Sequence, residues 1–137
     1  MAGTTEYFTI TTRDSEQSFD ITARVREIVE KAGIAHGLCH VMVLHSTCAV
    51  VVNETADPNI GKDVIRALGS IVPTHNDWLH DRKDDNAHSH VKASLLGPSE
   101  LIPIVDGALL LGKWQAIWLF EFDGPRTRQV AVHLVEG

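Results

Sequence analysis

The spacing of apolar residues changes several times along the chain, and each change predicts an element. The opening Tyr7-Phe8-Thr9-Ile10-Thr11-Thr12 mixes aromatic and β-branched residues suited to a pleated surface, which predicts a first strand ending near Asp14-Ser15. Ile21, Val25, Ile28, Val29 and Ala32 then share one helical stripe, with Asp20 placed to cap it, Glu27 and Lys31 paired across a turn, and Gly33 at the exit. Two Val-rich runs, residues 38–45 and 49–54, flank Ser46-Thr47-Cys48 and read as a hairpin. Asp57-Pro58 is an N-cap followed by a first-turn proline, and Ile60, Val64, Ile65, Leu68, Ile71 and Val72 keep helical spacing until Pro73.

The period is lost over residues 74–85, which predicts a long polar loop of the kind that usually carries function. Asn86 can cap a third helix running to Leu96 and closed by Gly97-Pro98. Residues 101–105, 108–111, 114–122 and 128–135 then read as strands. In the third of these, alternation puts Gln115, Ile117, Leu119 and Glu121 on one face and Trp114, Ala116, Trp118, Phe120 and Phe122 on the other. Neither face is polar, so this strand is expected to be central. The last four strands are too close for helical crossovers, so pairing should be mostly antiparallel. The expected fold is therefore α+β: one β-rich domain over residues 1–137, with antiparallel sheets packed as a sandwich and about three helices.

Composition narrows the function classes. The net charge of −6 argues against a general grip on nucleic-acid phosphates. No apolar run approaches the roughly 20 residues of a membrane-spanning helix, and MAGTTEYFTITTR shows no secretory pattern, so a cytoplasmic address is the default expectation. Cys39 and Cys48 fit neither a disulfide framework nor a CxxC motif. Histidine is the informative residue: four of the eight, His75, His80, His88 and His90, lie close together among Asp77, Asp81, Asp84 and Asp85.

Imidazoles mixed with carboxylates are what a borderline divalent ion prefers, whereas a solvated acidic loop before an ordinary helix accounts for the same composition. If Asn86 caps a helix, His88 and His90 stand about 200° apart and only one can be a principal ligand. His88 shares its face with Val91 and Leu95, so His90 is preferred. A second polar group is His45-Ser46-Thr47-Cys48 with Asn53-Glu54, where the hydroxyls alone can serve turn backbone. A third is Gly112-Lys113-Trp114-Gln115, followed by Asp123-Gly124-Pro125-Arg126-Thr127-Arg128. Arg126 and Arg128, two apart in extended chain, can form a fork for phosphate or carboxylate, or can bond to Glu121 or Asp123.

In order and spacing, these stretches together resemble the YjbQ family, known as a secondary thiamine phosphate synthase family. The resemblance rests on His45-Ser46-Thr47 with Asn53-Glu54, on His80-Asp81, and on Asp84-Asp85-Asn86-Ala87-His88-Ser89-His90 leading to Leu96-Gly97-Pro98-Ser99. It extends through Leu111-Gly112-Lys113-Trp114-Gln115, Glu121 and Pro125-Arg126-Thr127-Arg128, so nearly the whole chain is covered. It implies a homotrimer and a metal site at His45, His80 and His90, holding a divalent ion such as zinc or magnesium. Two departures, Lys113 for a small hydroxyl residue and Cys48 for a small residue such as Ala, bear on substrate preference.

The implied activity is at most a weak thiamine phosphate synthesis, joining a pyrimidine diphosphate to a thiazole phosphate with release of pyrophosphate. Glu54, Asp85, Arg126 and Arg128 are then the candidate catalytic residues, and Trp114 and Gln115 join the two arginines in contacting a small phosphorylated substrate. The alternatives are a metal-dependent hydrolase of a phosphorylated small molecule, with Glu54 or an Asp handling the proton, and a trimeric ligand-binding protein without turnover.

Overall fold

The alternating segments resolve into two antiparallel sheets in a computed structural model, which describes residues 3–55 and 57–137. In chain order the elements are β1 (Gly3–Thr11), β2 (Gln17–Asp20), α1 (Thr22–Ala32), β3 (Gly37–Val43), β4 (Cys48–Glu54) and α2 (Asn59–Ile71). A 3-10 turn at Leu79–Arg82 follows, then α3 (Ala87–Leu96), β5 (Ser99–Val105), β6 (Ala108–Leu109), β7 (Gln115–Glu121) and β8 (Thr127–Glu136). One sheet has the order β1-β8-β3-β5-β6 and the other β2-β7-β4. Every pairing among the described residues is antiparallel, so the architecture is α+β and β-rich as expected.

The inner core lies between the sheets. Phe8, Cys39, Val41, Val43, Val130, Val132 and Leu134 enter it from the larger sheet, and Cys48, Val50, Ile117 and Leu119 from the smaller one. Helix α1 closes one side through Ile21, Val25 and Val29. The outer face of the smaller sheet, with Ala49, Ala116, Trp118, Phe120 and Phe122, is covered by α2 through Leu68 and by α3 through Ala93. Strand β7 thus serves two cores, which is why neither of its faces reads as polar in sequence.

The hairpin expected from residues 38–45 and 49–54 does not form. Strand β3 pairs with β5 and β8, whereas β4 pairs with β7 in the other sheet. Strand β3 alternates buried and more exposed residues and fits the half-solvated larger sheet, whereas β4 opens with three buried residues, Cys48-Ala49-Val50, in the smaller sheet that is covered on both faces. The bend at Ser46-Thr47 carries the chain across the core between them. Strand β2 escapes the sequence reading because Phe19 is its one large apolar residue. Asp20 Oδ1 accepts the Thr22 N–H at 3.0 Å and Asp57 Oδ1 accepts the Asn59 N–H at 2.9 Å, each within a residue of the predicted cap. Asn86, by contrast, makes no side-chain cap bond at α3, and Asp81 Oδ1 accepts the Ala87 N–H in its place.

Candidate functional site

Where the inner faces of both sheets run out, the apolar rows end in polar residues. The β7 row Ile117-Leu119 continues into Glu121, and the β8 row Leu134-Val132-Val130 ends in Arg128; the two residues are only 0% and 3% exposed. A buried charge requires a partner, and these two find each other across the sandwich. Arg128 donates from Nε to Glu121 Oε2 at 2.5 Å, and from Nη2 to Glu121 Oε1 at 2.8 Å and Thr47 Oγ1 at 2.7 Å. Cys48 Sγ donates to Glu121 Oε2 at 3.1 Å. Burial pushes this thiol's pKa far up, with Glu121 adding to the shift, so Cys48 is a protonated donor and not a thiolate nucleophile.

His45 stands at the rim of this pair. Its Nε2 accepts the Gln129 N–H at 2.8 Å, so the neutral ring carries its proton on Nδ1. Burial, followed by the positive charge of Arg128, holds the imidazole below its ordinary 6.5 and favours this neutral form. Arg126 precedes β8 and turns the other way, bonding from Nη2 to Asp123 Oδ2 at 3.2 Å with its side chain 55% exposed. The two arginines therefore do not form a fork; each takes its own carboxylate, Glu121 or Asp123, which is the other arrangement the sequence allows. The reason is burial, since Arg128 lies on the inner face opposite Glu121, while Arg126 sits outside the strand in the turn.

The first turn of α3 packs against the same end. Asn86 Nδ2 donates to Asp123 Oδ2 at 2.8 Å and Ser89 Oγ donates to the Phe122 carbonyl at 2.6 Å. Asn86 Oδ1 and His88 Nδ1 are buried without a hydrogen-bond partner among the described residues. His90 meets His80 from the 3-10 turn edge-to-face, with ring centroids 4.8 Å apart, and His80 Nε2 lies 3.6 Å from Asp84 Oδ2. Two imidazoles and a carboxylate are donors that a borderline divalent ion prefers, but their ligand atoms do not all lie within 4.8 Å of one another. The side chains whose ligand atoms all fall within 4.8 Å of one another are a different set, His75, Asp81 and Asp85.

The remaining sequence candidates lie elsewhere. Glu54 and Gln115 face each other in the β4–β7 register, at the end of β7 opposite Glu121. Six residues of strand separate the two ends, about 20 Å. Gln115 Oε1 accepts the Gly112 N–H at 2.7 Å and closes its own turn, and Trp114 is 58% exposed beneath the Lys113 ammonium. Asp85 is exposed, with φ 54. Sequence reasoning names Glu121 and Asp123 only as possible partners of the arginines and gives Thr47 and Asn86 no role at the site, although an acid ending an otherwise apolar strand face is a readable signal of a buried pair.

The family described as UPF0047 protein YjbQ-like matches residues 6–137. A UPF0047 protein of Archaeoglobus fulgidus is 41% identical over 124 residues, covering 90% of this chain and 95% of that protein. One from Methanocaldococcus jannaschii is 35% identical over 128 residues, covering 93% and 91%. The crystal structure of a YbjQ-like protein from Sulfolobus solfataricus P2 superposes with a TM-score of 0.95 at 35% identity, covering 99% of both chains.

Proposed function

The chain belongs to the YjbQ-like UPF0047 family, and from that premise we propose that it is a metal-dependent enzyme acting on a small phosphorylated substrate. The reaction class carried forward from the resemblance is the joining of a pyrimidine diphosphate to a thiazole phosphate with loss of pyrophosphate. The observation that carries this reading is the meeting of His80 and His90 beside Asp84, at the same end of the sandwich as His45 and Arg126.

His80 and His90, with Asp84, are the residues that would hold the ion. A bound divalent ion supplies charge stabilisation for a departing pyrophosphate. His45, neutral with its proton on Nδ1, donates toward an anionic oxygen rather than offering a lone pair; to join the other two histidines as a ligand it must release the Gln129 N–H. Arg126, the exposed arginine, is the one that would turn from Asp123 to reach a phosphate. Arg128 acts through Thr47 and Glu121 as a positioning residue that fixes the floor of the site.

Glu54, Trp114 and Gln115 lie at the far end of the smaller sheet, so their part in this reading requires a neighbouring subunit. The reading therefore includes a homotrimer, which the exposed Leu101, Leu110 and Trp114 and the open sheet edges support. The test incubates the protein and its His90→Ala variant with the pyrimidine diphosphate, the thiazole phosphate and Zn2+ or Mg2+. Pyrophosphate release that needs both substrates and the metal, and falls at least tenfold in the variant, is the expected result. Orthophosphate release from one substrate alone would move the assignment to a hydrolase. Stoichiometric binding without product would move it to a ligand-binding protein.

A further inference from the structure

The loop that carries His80 presents a second set of ligands. His80 and Asp84 are four residues apart, and so are Asp81 and Asp85, offset by one. Only Leu79–Arg82 is helical here, and the chain turns at Asp85, whose φ is 54. Asp81 and Asp85 meet His75 there: one ligand atom from each of the three side chains lies within 4.8 Å of the others. They line a cavity of about 400 Å³, with Asp77, Trp78 and Arg82 also in its wall. Three carboxylates against one guanidinium make that wall anionic, and the His75 imidazole makes the donor set mixed.

We propose that His75, Asp81 and Asp85 bind a divalent cation that fastens the 74–86 loop to the start of α3. Imidazole nitrogen with carboxylate oxygens suits a first-row ion such as Mn2+ or Zn2+ better than Ca2+, which takes oxygen ligands, and the open side of the cavity leaves room for water to complete the shell. Asp81 gives the ion its structural leverage. Its Oδ1 already accepts the Ala87 N–H at 2.9 Å and so caps α3, while its other oxygen is free of hydrogen bonds among the described residues. An ion held there ties residue 75 to the helix that bears His90. The site is independent of the His80–His90 reading and stands whether or not that pair binds metal.

The test uses Mn2+ as the probe on the full chain, with two readouts. Electron paramagnetic resonance counts free Mn2+ during a titration, and trypsin reports the loop itself, because Arg82 and Lys83 lie between the proposed ligands Asp81 and Asp85. The expected result is that Mn2+ slows cleavage after Arg82 and Lys83 at least tenfold in the wild-type chain. Asp85→Asn and His75→Ala should abolish that protection and weaken Mn2+ binding at least tenfold, while His90→Ala keeps the protection. His75 and Asp85 are exposed, so both variants should retain the wild-type melting temperature without metal. Absence of Mn2+ protection in the wild type, protection unchanged in Asp85→Asn and His75→Ala, or its loss in His90→Ala alone would overturn the proposal. None of these outcomes depends on catalytic turnover, so they separate this site from the proposed enzyme function.

Discussion

Replacing Arg128 by Ala should be among the most damaging single changes available, for a reason unrelated to substrate. The guanidinium is 3% exposed and Glu121 is 0% exposed, so truncation leaves a carboxylate in the core with only the Cys48 thiol and the Asp123 N–H as donors. Breaking a buried pair from one side destabilises by about 3–5 kcal/mol. With an m-value of about 2 kcal/mol/M in urea, the unfolding midpoint falls by about 2 M. Substituting both partners, Arg128→Met with Glu121→Leu, removes the orphaned charge and should recover most of that loss. Arg128→Lys should fall between, because an ammonium cannot reproduce the planar contact to Glu121 and Thr47 together. Equilibrium urea unfolding of the four chains at pH 7.5 decides the matter. A loss below about 1 kcal/mol for Arg128→Ala, the range of an exposed pair, would refute the buried-pair argument. So would a double variant as unstable as the single one.

Because the folded His45 imidazole is held below 6.5, the unfolded chain takes up this proton first on acidification, so stability present above about pH 6.5 is lost as pH falls toward the folded value. His45→Gln, which keeps an acceptor for the Gln129 N–H, should lose less stability between pH 7.5 and 5.5 than the wild type; parallel curves would remove His45 from this account. At Gly37 an added Cβ would stand 2.1 Å from the Val135 carbonyl oxygen, so Gly37→Ala should force β3 and β8 apart and cost about 1–3 kcal/mol, read as a lowered melting temperature. Light scattering should give about three times the 15.1 kDa chain mass, and a clean monomer at micromolar concentration would remove the role of Trp114 and Gln115 at a shared site.

Local elements were readable in the sequence wherever one face is buried and the other wet. The α1 stripe of Ile21, Val25 and Val29 is an example, as is α2, whose Leu68 turns to the outer core. Strand β7 was legible as central because both of its faces are apolar, and both prove buried. What periodicity does not encode is which sheet a strand joins, so residues 38–45 and 49–54 looked like a hairpin although they face each other across the core. The arginine fork failed for a related reason. Two residues in extended chain share a side only if both lie in the strand, and β8 begins at Thr127, after Arg126. On α3 it is His90 that stands against His80, while His88 keeps Nδ1 buried without a partner among the described residues.

The crossing at Ser46-Thr47 also sets when the polar end can exist during folding. Its contacts join residues far apart in the chain: Thr12 to Arg126 is a separation of 114, His45 to Gln129 of 84, Thr47 to Arg128 of 81 and Cys48 to Glu121 of 73. Contacts that close such long loops need their distant strands already brought together, so this end of the molecule assembles with the β1–β8 and β3–β8 pairings rather than ahead of them. A small molecule captured there would be sensed by the whole cooperative unit rather than by one loop, raising the global unfolding free energy by RT ln(1 + [L]/Kd). Occupancy at the rim and persistence of the entire fold are then one equilibrium seen from two sides.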